Sequence, residues 1–279
     1  MLDKRMVGNV LSIFWSAGNN LPAMPRWRRH SRHLLVFGLV CAFAIHAAQS
    51  ETIPERVDTA LVISIDVSSS VNDERYRLQL EGIAAALEDP GVITSVLSGP
   101  IGNIAVAVVT WADDPRLAIP WTIISSAQEA AKMANRIRSL PPQDGKFTCL
   151  GGMMRYTADK VLFRLPVPAT KIVVDVSGDG ADNCSAEGLL SNARQDLISA
   201  GATINGLPIL EGPTSEGLED WYRNNVIGGN SAFIMPANGY SDFERAFRQK
   251  FIIEMSALKF GPLADNFDAA LSNATQPHR

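Results

Sequence analysis

Asp66, Ser68 and Ser70 form an Asp-x-Ser-x-Ser pattern directly after the apolar run Leu61-Val62-Ile63-Ser64-Ile65. One carboxylate and alternating hydroxyls at a strand end can converge their oxygens on a single point. Hard divalent cations such as Mg²⁺ take ligand sets of that kind, because they prefer oxygen and keep positions for water or an incoming carboxylate. Short serine-rich turns also serve simply as helix caps, and Ser70 stands where it could N-cap the helical pattern that follows.

Other chemistries are excluded by what the chain lacks. Its four histidines are His30, His33, His46 and His278, so none falls between residues 47 and 277. A Ser-His-Asp or Cys-His arrangement is therefore ruled out for the body of the chain, as is a histidine-bound zinc. The body also has no Gly-x-x-x-x-Gly-Lys-Ser/Thr loop and no Gly-x-Gly-x-x-Gly after its first strand, which removes the main supports of nucleotide binding.

The elements that must position Asp66 and its serines alternate in type. Apolar, β-branched segments at Thr59–Ile65, Ile104–Trp111, Lys171–Ser177 and Ala202–Pro208 read as strands buried on both faces. Helical patterns cover 72–87, 126–140, 150–165, 186–200, 215–226 and 240–255, and a short strand is expected at Ala232–Met235. Asp89-Pro90-Gly91 reads as the end of the first helix. Arg116–Ile124 follows Trp111 after so short a link that a hairpin, and hence one antiparallel edge strand, is expected. The pattern predicts an α/β fold: a doubly wound, mostly parallel central sheet with helices on both faces. Ligands of such sheets sit beyond the carboxyl ends of the strands, where Asp66-Val67-Ser68-Ser69-Ser70 and the segment 177–183 fall.

At these residues the chain resembles the von Willebrand factor type A (VWA) domains and their metal-ion-dependent adhesion site. Phe147-Thr148-Cys149-Leu150-Gly151-Gly152 resembles that family's second loop, and Asp175-Val176-Ser177-Gly178-Asp179-Gly180 its third. The resemblance implies a five-residue metal site of Asp66, Ser68, Ser70, Thr148 and Asp179. It departs from the family's commoner strand-Thr-Asp-Gly form by placing Ser177-Gly178 ahead of Asp179. Asp175 and Asp182 are alternative ligands, with a buried carboxylate bonded to neighbouring loop amides as the competing role for Asp175. With few direct anionic ligands the ion stays electrophilic. The resemblance thus implies Mg²⁺ (or Mn²⁺) bridging to an Asp or Glu carboxylate of a protein partner, a binding module and not an enzyme. A metal-dependent hydrolase using the same ion, or a structural domain with a vestigial site, are the alternatives. The leader described below, with Thr-Cys-Leu-Gly-Gly and Ser-Gly-Asp-Gly-Ala-Asp-Asn, is similar to a group of secreted bacterial VWA-like proteins without assigned function.

Charge separates the chain into parts. The first fifty residues hold 6 basic and 1 acidic side chains, and the remainder 19 basic and 28 acidic. An acidic body without a Lys/Arg run argues against nucleic acid as a partner. Basic 24–33, the twelve-residue apolar run Leu34–Ile45 and small Ala47, Ala48 and Ser50 follow the order of a secretory signal peptide, too short to span a bilayer. The expected organisation is an upstream extension 1–23 ahead of a true start at Met24, a signal peptide 24–50, one VWA-like domain 56–258 and a C-terminal tail 259–279. Periplasmic or secreted localisation follows, with no membrane insertion after cleavage. Only Cys149 and Cys184 then remain, next to the two later loops, as either a disulfide tying them together or two independent buried thiols. Trp111, Trp121 and Trp221 could line a groove or pack the core; Asp113-Asp114 could extend a cation site or form a solvated turn. Glu211 could border the site face.

Overall fold

The structure, a computed structural model, describes residues 53–143 and 145–256. The expected extension, signal peptide and tail lie outside the described residues.

Five strands form one sheet. They are β1 (Val57–Asp66), β2 (Ile104–Trp111), β3 (Arg116–Ile124), β4 (Ala169–Gly178) and β5 (Ala202–Pro208), in the order β3-β2-β1-β4-β5. β1 lies at the centre, parallel to β2 on one side and β4 on the other, and β5 runs parallel to β4. β3 is the antiparallel edge strand expected from its short link. Every residue of β1 and β2 is buried, which explains why neither alternates apolar with polar.

Alternate residues of β1 face different cores. Leu61, Ile63 and Ile65 join one that includes Leu80, Ile83, Met133, Phe243 and Phe247. Those partners come from α1 (Asp73–Glu88), α3 (Ala127–Arg138) and α7 (Phe243–Ser256). Val62 joins the opposite core, with Leu150, Met153, Leu197, Leu218 and Tyr222 from α4 (Leu150–Tyr156), α5 (Leu189–Ser199) and α6 (Leu218–Asn225). Helices on both faces are thus required by a central strand that is buried on both sides.

Several boundaries differ from the sequence reading. Asn72, not Ser70, caps α1, its side chain accepting from the Arg75 amide at 2.9 Å. Asp89-Pro90-Gly91 does more than stop α1: it starts α2 (Pro90–Leu97). The Asp89 carboxylate accepts from the Gly91 and Val92 amides, and proline stands at the first helical position, where it loses no hydrogen bond. Helix α5 begins only after Gly188, whose φ of +77° favours glycine. Residues 232–235 form no strand. An isolated bridge of Gly206 with Ile234 and the Asn205 side chain, which accepts from the Phe233 amide at 3.0 Å, tie that segment to β5. Trp111 is fully buried and Trp121 donates to the Val161 carbonyl at 2.9 Å, so both belong to packing. Asp113 accepts from the Lys146 amide at 2.6 Å, tying its turn to the loop ahead of Thr148.

Candidate metal centre

Because β1 and β4 are neighbours, their carboxyl ends bring Asp66 and Asp179 together. Asp66 is the last residue of β1, and Asp179 follows the last residue of β4. Both are buried. Asp66 Oδ1 accepts from the Ser68 amide at 2.8 Å, a short-range turn that buries Ser68 beside it. Ser68 Oγ and Ser70 Oγ are 3.2 Å apart, and Ser70 Oγ donates to Asp179 Oδ1 at 2.6 Å. Four of the five expected site residues are therefore joined by contacts.

Thr148 arrives from the loop ahead of α4. Its amide donates to Asn183 Oδ1 at 2.9 Å, and the Asn183 amide donates back to its carbonyl at 3.0 Å. A disulfide joins Cys149 to Cys184, with Cα atoms 5.1 Å apart, so the second and third loops are tied both covalently and by hydrogen bonds. A Cβ placed at Gly180 would lie 3.6 Å from Thr148 Oγ1, which sets that hydroxyl against the turn after Asp179.

The two alternative ligands are occupied elsewhere. Asp182 accepts from the Gly151 amide at 2.7 Å and the Ser185 amide at 2.8 Å, bracing the two loops from behind. Asp175 is buried, but its partner is not the expected set of loop amides. Its carboxylate pairs with Lys250 of α7, because it lies inside the sheet opposite Ile63 and Asn205, where no loop amide reaches.

The unusual Ser177-Gly178 pair has a steric explanation. Ser177 Oγ donates to the Ser64 carbonyl at 2.9 Å, inside the sheet. A Cβ at Gly178 would stand 2.8 Å from Tyr222 Oη and 2.9 Å from Asp66 Oδ2, both on fully buried side chains that cannot swing away. Gly178→Ala is therefore expected to cost about 1–3 kcal/mol of stability by overpacking. Urea denaturation would measure it, and an unchanged midpoint would remove this account of the glycine.

Does the site suit a hard cation? Asp66 Oδ2 is buried with no hydrogen-bond partner, and burial pushes the Asp66 carboxyl up to about 7 despite the Ser68 amide, which acts in the opposite direction. An unsatisfied buried carboxylate oxygen beside two serine hydroxyls and a second carboxylate is a group that a bound cation would satisfy. The donor set of Asp66, Ser68, Ser70, Thr148 and Asp179 is all oxygen and fits Mg²⁺ or Mn²⁺. Among the described residues no three His, Cys, Asp or Glu side chains gather into a metal-binding group, so the arrangement is hydroxyl-rich and not a carboxylate cage.

Three neighbours of the site were not assigned a role from the sequence. Arg75 of α1 donates to the Ser70 carbonyl at 2.6 Å and to Glu211 Oε1 at 2.7 Å. Glu211 in turn accepts from the Tyr240 amide at 3.0 Å. The Tyr240 hydroxyl is held protonated by burial and by the nearby Asp179 and Asp66 carboxylates. Only the position of Glu211, just beyond β5, hinted at this from sequence.

The family described as "Protein of unknown function (DUF1194)" matches residues 56–259. No curated protein matches the chain. Among solved structures, proximal thread matrix protein 1 (PTMP1) from the mussel byssus is similar at TM-score 0.53 and 16% identity, covering 70% of this chain and 47% of that one. The same protein "with zinc occupied MIDAS motif" is similar at TM-score 0.53 and 18% identity, covering 72% and 48%. The von Willebrand factor type A structure from Catenulispora acidiphila is similar at TM-score 0.50 and 17% identity, covering 71% and 43%. The chain thus spans about half the length of the structures it matches. At these identities the likeness is one of fold.

Proposed function

Given that the chain belongs to the DUF1194 family and has the VWA fold, we propose that it is an exported module that binds a protein partner through a divalent cation. Asp66, Ser68, Ser70, Thr148 and Asp179 would hold the ion, Mg²⁺ or Mn²⁺, which when bound offers an electrophilic position to an Asp or Glu carboxylate. The observation that carries the reading is the buried, unpartnered Asp66 Oδ2 beside hydroxyls already linked to Asp179. A zinc-occupied motif in the mussel protein supports a divalent cation in this fold. The Cys149–Cys184 disulfide supports an oxidising compartment, periplasmic or extracellular. Binding is favoured over catalysis by the resemblance to the VWA adhesion site; with no histidine in the body, a hydrolase would depend on carboxylates as its general base.

Calorimetric titration of Mg²⁺ and Mn²⁺ into the purified chain tests the site. Wild type is expected to bind, Asp66→Ala to lose the signal and Thr148→Ala to weaken by about tenfold or more, in line with loss of one ligand. Protons compete for Asp66, so affinity should fall as pH drops below about 7 and level off above it. Silence from the wild type, or binding that survives both substitutions, would sink the reading. A partner retained from a periplasmic extract in Mg²⁺ should be released by EDTA.

A further inference from the structure

Arg75 places a positive charge among the carboxylates of the site. Its Nη1 lies 3.9 Å from Asp179 Oδ2, its Nη2 is 2.7 Å from Glu211 Oε1, and its guanidinium carbon sits 5.1 Å from the centre of the Tyr240 ring. Nη1 also holds the Ser70 carbonyl at 2.6 Å. Asp179 is buried, while Arg75 and Glu211 are partly exposed at the rim. One side chain therefore touches the first loop, the third loop and the segment after β5, and sets how much negative charge a cation there would meet.

We propose that Arg75 tunes the site's charge, lowering its hold on the cation while raising the cation's appetite for a carboxylate from outside. The proposal rests on the divalent-cation reading above. Arg75 offsets Asp179 and Glu211, so the ion keeps more of its positive charge. Remove Arg75, and Glu211 becomes an uncompensated carboxylate beside the site, still held by the Tyr240 amide at 3.0 Å. A residue that only braced loops would act differently: its loss would weaken cation and carboxylate together. Charge tuning moves the two in opposite directions.

The test titrates MnCl₂ into the purified full chain by calorimetry. Sodium acetate is then titrated into the Mn²⁺-loaded protein and followed by water-proton relaxation. Arg75→Gln is expected to bind Mn²⁺ about tenfold more tightly and acetate about tenfold more weakly, as loss of a like charge a few ångströms away implies after solvent screening. Arg75→Lys should move both values back toward wild type. Glu211→Gln, which removes the opposite charge, should weaken Mn²⁺ binding, and it keeps the proposal testable if Arg75→Gln fails to fold. Metal-free melting temperatures separate stability from binding. Arg75→Gln weakening both ligands, or leaving Mn²⁺ affinity unchanged, overturns the proposal, as does Glu211→Gln with unweakened Mn²⁺ binding. Those results leave the metal site standing, whereas no Mn²⁺ binding by wild type removes both.

Discussion

Replacing Lys250 with methionine is expected to lower the unfolding free energy by about 3–5 kcal/mol, the cost of leaving buried charge without its partner. Lys250 is fully buried and pairs with Asp175 and, at 2.5 Å, with Glu254 one turn on. Asn205 Nδ2 donates to the same Glu254 oxygen at 2.6 Å. Burial works against the Lys250 charge, but the two carboxylates more than offset it and hold the ammonium above its ordinary range. Asp175 is raised well above 3.8, by burial first and by Glu254 second, with Lys250 opposing both.

The sign of the pH dependence follows. Because the folded value of Asp175 lies above the unfolded one, the stability its protonated form contributes is complete below 3.8 and is lost as pH rises toward the folded value. Removing Lys250 raises that folded value further, so the deficit of Lys250→Met should be smaller at about pH 5 than at about pH 8. Urea denaturation at both values measures it. Adding Asp175→Asn and Glu254→Gln to Lys250→Met should recover much of the loss, since no buried charge then stands alone. A single variant with full stability at about pH 8 would show that the pair contributes nothing there.

Opening the Cys149–Cys184 bridge should cost about 3–4 kcal/mol, the loop-closure value for the 35 residues it spans. For a domain of this size that corresponds to a melting temperature lower by about 10 °C. Cys149→Ser with Cys184→Ser, or reductant on the wild type, would show it by calorimetric melting. Cation affinity should fall too, because the bridge and the paired contacts of Thr148 and Asn183 hold Thr148 against the Asp179 turn. Unchanged melting after verified reduction would mean that those hydrogen bonds hold the loops alone.

Read alone, the sequence already holds most of the alternation of strands and helices, the buried parallel strands, the antiparallel edge and the motif at the end of β1. Each of these is written in local pattern: continuous apolar runs, helical spacing and short links. It also excluded histidine chemistry, since composition needs no coordinates. Which acid faces the motif follows from contacts across the fold. Asp175, Asp179 and Asp182 lie within eight residues of one another, and the pleat of β4, the pairing with Lys250 and the bracing of Gly151 send them to three different tasks. The same holds for Gly178, whose reason is the approach of Tyr222 across the fold, and for Arg75 and Glu211, 136 residues apart. Contacts between residues distant in sequence depend on strand order, and strand order leaves no trace in the spacing of any one segment.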